Sequence, residues 1–191
     1  NLHLQGRAGM ENTLALYPLS LVYLLFPVPW SFGLFCLGHL LLGAVGMYFL
    51  VFRLTGNALA ASVTGLVFGF NGFTWYGLMW PHLIAASAWM PWVICAVSDV
   101  WRRGSGLQNL IIGGLLAALQ LLTGGAEIIL QTWLLLGLLL GWRLYKRGDS
   151  PAKLFLKAAI MVMLAAGLAA VQLLPFLDLL SLSQRIAGYA S

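Results

Sequence analysis

The sequence predicts an all-α fold: a polytopic transmembrane helical bundle of about six spanning helices plus one short interfacial or re-entrant helix. Three observations predict it. Hydrophobic residues make up 61% of the chain, charged residues 8%, and the mean hydropathy is +0.93. Soluble domains carry about a quarter charged residues, so this inventory cannot clothe a water-facing surface. The apolar residues fall into runs of about 20, the length needed to cross a bilayer. The charged residues lie between those runs or near their ends, and none lies deep within one.

Taken in order, residues 1–13 form a polar loop with no basic stretch leading into an apolar core, so they are not a signal peptide. They read as an outer loop entered part-way, and we expect a piece of a longer protein. Residues 14–29 are apolar but short, and they carry Pro18, Pro27 and Pro29. Each proline removes an amide donor where lipid offers no water in exchange, so this segment is the interfacial or re-entrant helix. Spans follow at 31–53, 57–79, 82–101, 107–123, 126–145 and 155–178, with an outer segment at 179–191. The whole chain is one transmembrane region.

Charge placement tests those boundaries. Six crossings put eight of the ten Lys and Arg residues on one side, leaving Arg7 and Arg185 on the other. A miscounted span would scatter the signs between faces. The positive-inside rule makes the basic side cytoplasmic. The net charge of +5 is thereby absorbed by topology, and nucleic acid is not an expected partner. Membrane lipid is.

Within the spans, Gly65 and Gly69 form a GxxxG pair. Small residues of this kind let helix backbones approach in lipid, although glycine is also simply common in membrane helices. His39, Gln120, Gln131 and Gln172 lie in spans, where an unpaired polar group is costly, so bonding between helices is their expected role. Cys36 and Cys95 sit in apolar runs as small packing residues, and no Cys/His cluster has metal-ligand spacing. Trp89, Trp92 and Trp133 lie too deep for the interfacial belt and need a packing account.

Acids are scarce enough to take singly. Asp99 precedes Arg102 and Arg103 at helical-face spacing, which predicts a local ion pair. Asp149 sits among cations in a basic loop. Glu11, Glu127 and Asp178 map to the outer face. Glu127 reads as a carboxylate complementing a helix start, or as one facing a polar cavity. Asp178 is a helix-end acid or a partner of Arg185. His82, after Trp80-Pro81, is a structural histidine or a base. The outer face thus gathers Arg7, Glu11, Tyr17, Tyr76, His82, Glu127, Asp178, Arg185 and Tyr189.

Several strings, in order, carry a resemblance: Leu16-Tyr17-Pro18-Leu19, Gly38-His39-Leu40, Gly46-Met47-Tyr48, Arg53-Leu54-Thr55-Gly56 and Phe68-Gly69-Phe70-Asn71-Gly72-Phe73. Further on come Pro81-His82, Ala88-Trp89-Met90-Pro91, Leu122-Thr123-Gly124-Gly125-Ala126-Glu127, Ala170-Val171-Gln172-Leu173-Leu174-Pro175 and Ser183-Gln184-Arg185. Together they resemble the bacterial YfhO-type membrane proteins, relatives of the GT-C class of glycosyltransferases.

The resemblance implies a multi-pass protein of the bacterial cytoplasmic membrane. It would move a sugar from a polyprenyl-phosphate carrier to an acceptor in the cell envelope. No further cofactor is implied. The catalytic acid would stand in the first large outer loop. Residues 1–30 contain no aspartate, so that acid is expected upstream, or else is Glu11. Arg7 and Arg185 are the expected phosphate ligands, or anchors for anionic lipid. His82, Glu127 and Asp178 are the remaining substrate-binding candidates. Two other classes remain open from the residues: a transporter or flippase of lipid-linked saccharides, and a non-catalytic membrane subunit.

Overall fold

In a computed structural model, the structure describes residues 14, 16–102, 104–146 and 150–174. The described residues are helical, with no strand among them. A 3-10 turn (Pro18–Leu21) runs into α1 (Val22–Leu25). Then come α2 (Val28–Thr55), α3 (Ala58–Gly69), α4 (Gly72–Gly77), α5 (Pro81–Val100), α6 (Leu107–Leu121), α7 (Ala126–Tyr145) and α8 (Pro151–Leu168). Among the described residues, five stretches are long and apolar enough to cross a membrane: Pro29–Thr55, Ala58–Gly77, Pro81–Val100, Ala126–Tyr145 and Pro151–Leu168. By length and composition the chain is a multi-pass membrane protein.

The fourth expected span is the exception. The run at 107–123 forms a helix of 15 residues, Leu107–Leu121, about 22 Å long at 1.5 Å per residue against a hydrocarbon core of about 30 Å. It stops because Leu122 and Thr123 turn toward Gly124, which has a φ of 73° that only glycine adopts cheaply.

The second expected span, 57–79, is broken. Phe70 leaves helical geometry, and Asn71 starts α4 by accepting from the Thr74 amide at 3.0 Å. Asn71 Nδ2 and Thr74 Oγ1 both donate to the Phe68 carbonyl, at 2.7 and 3.2 Å. Backbone groups freed by a break in lipid need such internal partners, and these side chains supply them.

Tight reversals set the helix directions. Gly56 caps α2 with a φ of 68°, and Asn57 caps α3 by accepting from the Leu59 and Ala60 amides. The two helices therefore run antiparallel, and the expected glycine contact forms between them. A Cβ on Gly65 would lie 2.7 Å from the Ala44 carbonyl oxygen, and one on Gly69 would lie 3.1 Å from the Ala44 Cβ. α5 is the buried centre, packed against α2, α6 and α7, while α8 lies against α6. Val93, Val97 and Val100 of α5 meet Ala117, Leu136, Leu154 and Met161 in one apolar cluster.

At the end where α2, α5 and α7 finish, the Arg53 guanidinium forms a two-pronged bond to Asp99, one prong at 2.8 Å. The local partner expected for Asp99 is secondary, with Arg102 Nε at 3.7 Å; Arg103 lies outside the described residues. Lys157 of α8 reaches the same end and donates to the Val100 and Arg102 carbonyls and to Ser105 Oγ. It satisfies carbonyls that the end of α5 leaves without helical donors. Arg143 and Lys146 end α7 here, and Lys153 begins α8 here. All described basic residues thus share one end of the bundle, and the described acid Glu127 sits at the other.

Candidate functional site

The end opposite the basic one is built from the starts of α5 and α7 and the end of α6. Pro81 opens α5 at a position where its missing amide costs nothing, and this places His82 in the first turn. Trp80 precedes it, its ring edge-on to the imidazole with centroids 6.0 Å apart. Glu127 stands in the first turn of α7 and is exposed, whereas His82 is half-buried. The structure therefore places at one end of the bundle His82 and Glu127, two residues separated widely in the sequence. Their link is Gly125, where a Cβ would come within 2.6 Å of the Ala86 Cβ and 3.0 Å of the His82 carbonyl oxygen.

Beneath them, Gln120 joins three helices. Its Nε2 donates to the Ala86 carbonyl of α5 at 3.2 Å and to Thr132 Oγ1 of α7 at 2.9 Å. Exchanging the amide atoms would set two acceptors face to face at Ala86, so this orientation is the one the surroundings require. Gln120 Oε1 is buried with no hydrogen-bond partner among the described residues. Thr132 Oγ1 passes its own hydrogen to the Ile128 carbonyl at 2.8 Å, and Thr123 Oγ1 donates to the Gln120 carbonyl at 2.6 Å.

A second polar cluster lies deeper in the same half of the bundle. Trp89 Nε1 donates to Tyr17 Oη at 2.6 Å, and Tyr17 Oη lies 2.7 Å from His39 Nε2. His39 Nδ1 lies 2.7 Å from the Phe35 carbonyl. A carbonyl only accepts, so Nδ1 carries hydrogen; in a neutral ring Nε2 then accepts from Tyr17. The direction of the chain is fixed: Trp89 to Tyr17 to His39 to Phe35. His39 is about 16 Å along α2 from Val28 at helical rise. The Tyr17 side chain thus reaches a residue about three turns into α2.

The other expected roles divide clearly. Tyr17, grouped by sequence with the outer face, is a buried side chain, and Tyr76 is exposed. Trp92 packs through a bond from its Nε1 to the Leu42 carbonyl at 3.0 Å, and Trp133 packs against the central apolar cluster. Gln131 is exposed. Gln172 is half-buried, with Oε1 unpaired among the described residues. Both cysteines are buried and free. Arg7, Glu11, Asp149, Asp178, Arg185 and Tyr189 lie outside the described residues. No group of three His, Cys, Asp or Glu suited to a metal occurs among those described.

No family model, curated protein or solved structure matches this chain.

Proposed function

We propose that the chain is part of a YfhO-type membrane glycosyltransferase of the GT-C class, with its basic end in the bacterial cytoplasm. Its substrate would be a sugar on a polyprenyl-phosphate carrier, and its acceptor a hydroxyl of the cell envelope. The observation that carries this reading is the placement of His82 and Glu127 at the end away from the bases, in helix starts joined through the packing of Gly125 on the His82 carbonyl. A carboxylate, an imidazole and an exposed indole at one end of the bundle supply what a sugar needs: acceptors for hydroxyls and an apolar platform for a ring face. In the transfer step a carboxylate base takes the acceptor hydroxyl's proton, the oxygen attacks the anomeric carbon, and polyprenyl phosphate leaves. That base is assigned upstream of residue 14 or to Glu11. Arg7, Arg185 and Asp178 remain the proposed phosphate and sugar ligands.

One observation favours a transporter of lipid-linked saccharides instead. The break between α3 and α4 at Phe70–Asn71 makes a discontinuous helix, as many transporters use for binding. Its carbonyl and amide are both satisfied by local side chains, which leaves the break little to offer a substrate.

The test uses the full-length protein in its membrane, with transfer of sugar from the polyprenyl carrier as the readout. Glu127→Gln and His82→Ala should each lower transfer by about tenfold or more, the scale of a lost charge-assisted contact. Unchanged transfer in both, at normal protein levels, overturns their role.

A further inference from the structure

In the stretch from Leu14 to Phe26, the described residues meet the bundle through one apolar patch, where Val22 and Tyr23 pack beside Leu14 and Tyr17 and the Tyr23 ring centroid lies 5.3 Å from that of Phe35. Leu14 and Tyr17 are the buried side chains among its described residues, whereas Leu19, Leu21, Leu24, Leu25 and Phe26 face outward. Its internal shape depends on Leu14, which takes a left-handed φ of 54°. Leu14 offers its carbonyl to the Tyr17 amide at 3.0 Å and to Ser20 Oγ at 2.7 Å. The other end is an extended joint, Phe26-Pro27, between α1 and α2. Inside, the only polar contact to the bundle given by a described side chain of this segment is the Tyr17 hydroxyl.

That hydroxyl sits between a donor on α5 and an acceptor on α2. Trp89 Nε1 and His39 Nε2 come from different helices, and each is held by packing or by its own backbone contact. A donor and an acceptor converging on one oxygen suit any hydroxyl, not a phenol alone. We propose that His39 and Trp89 form a hydroxyl-binding pair, and that residues 14–26 are a strap filling it with the chain's own Tyr17. Swinging the strap about Phe26-Pro27 frees the pair for the hydroxyl of a ligand entering from the lipid side. No bond is made or broken in the exchange; one neutral hydroxyl replaces another. The proposal requires no sugar transfer, so it stands or falls separately from the function proposed above.

The two native cysteines provide the test. Cys36 belongs to the cluster formed by Tyr17, Phe35 and Trp89. Cys95 is buried on α5 near Arg53, at the other end of the bundle. Maleimide labelling of both is followed by mass spectrometry, with the full chain in lipid nanodiscs. Tyr17→Phe, which keeps the ring and loses the hydroxyl, should speed Cys36 labelling about tenfold, the factor for one or two lost neutral hydrogen bonds. Cys95 should be unaffected. Trp89→Phe should act in the same direction. An unchanged Cys36 rate in both variants overturns the strap, and so does an equal rise at Cys95, which signals general loosening. In Tyr17→Ala, p-cresol should slow Cys36 labelling while toluene does not. Equal effects of the two probes, or none, overturn the hydroxyl pair. The Tyr17→Phe and Trp89→Phe arms need no cavity and decide the strap even where Tyr17→Ala does not fold.

Discussion

The two ends of the bundle are fastened by different chemistry. At the basic end, charged groups do the joining: Arg53 to Asp99, and Lys157 to the carbonyls that finish α5. Toward the other end, neutral groups join the helices below the surface: Trp89 through Tyr17 to His39, and Gln120 to Ala86 and Thr132. The division follows from solvation. An ion at an interface keeps part of its water, whereas one buried in hydrocarbon loses it at high cost. A neutral hydroxyl or amide costs less to bury and still loses heavily if left unpaired. The buried end should therefore respond strongly to truncation and little to salt, and the basic end the reverse.

The largest effect is expected from Trp89→Ala. It removes a buried indole and leaves the Tyr17 hydroxyl without its donor, costing about 3–5 kcal/mol in SDS-titration unfolding. A loss under about 1 kcal/mol would mean that the neutral end is not held as described. Gly125→Ala comes next. The added Cβ meets the Ala86 Cβ and the His82 carbonyl, and overpacking of this kind costs about 1–3 kcal/mol. The same change should displace the first turn of α5 at His82, read as a chemical-shift change of the His82 ring. An unmoved resonance would separate Gly125 from the site.

Which of these features the sequence revealed depends on how far the partner lies along the chain. The Gly65/Gly69 contact was legible because small residues at a four-residue spacing mark one helix face. His39 and Gln120 were legible as helix-joining groups because an unpaired polar group in a span is costly. Their partners were not. Tyr17 reads as an outer-face residue until Trp89, 72 positions away, is folded against it. Asp99 has an arginine three positions on, which hid Arg53, 46 positions back. The break at Phe70–Asn71 is masked by an apolar run that continues through it. Of the expected site, His82 and Glu127 stand at one end of the bundle, whereas Arg7, Glu11, Asp178 and Arg185 fall outside the described residues.

Gln120→Leu probes the middle of the scale. It deletes two donated bonds but also removes Oε1, an acceptor already unpaired in the native fold. Hydrogen bonds between membrane helices average about 0.6 kcal/mol in double-mutant cycles, so a loss of roughly that size is expected, indifferent to salt. A stabilised variant would show that the unpaired oxygen outweighs both bonds, and would mark Gln120 as a residue kept for something other than stability.

Arg53→Ala should cost least, about 0.5 kcal/mol in low salt. The pair joins two helices with good bidentate geometry, but both side chains are about a third exposed, at 34% and 30%. Exposed pairs of this kind are worth about 0.2–1 kcal/mol because water competes for each ion. Asp99 also keeps Arg102 nearby at 3.7 Å as a substitute cation. Raising the salt from low to about 0.5 M should shrink the difference between variant and parent, since the screening length falls below about 10 Å. The Trp89→Ala difference should not change with salt. If both differences shrank together, the contrast between an ionic end and a neutral end would fail, because screening acts on charge and leaves a buried indole–phenol–imidazole chain untouched.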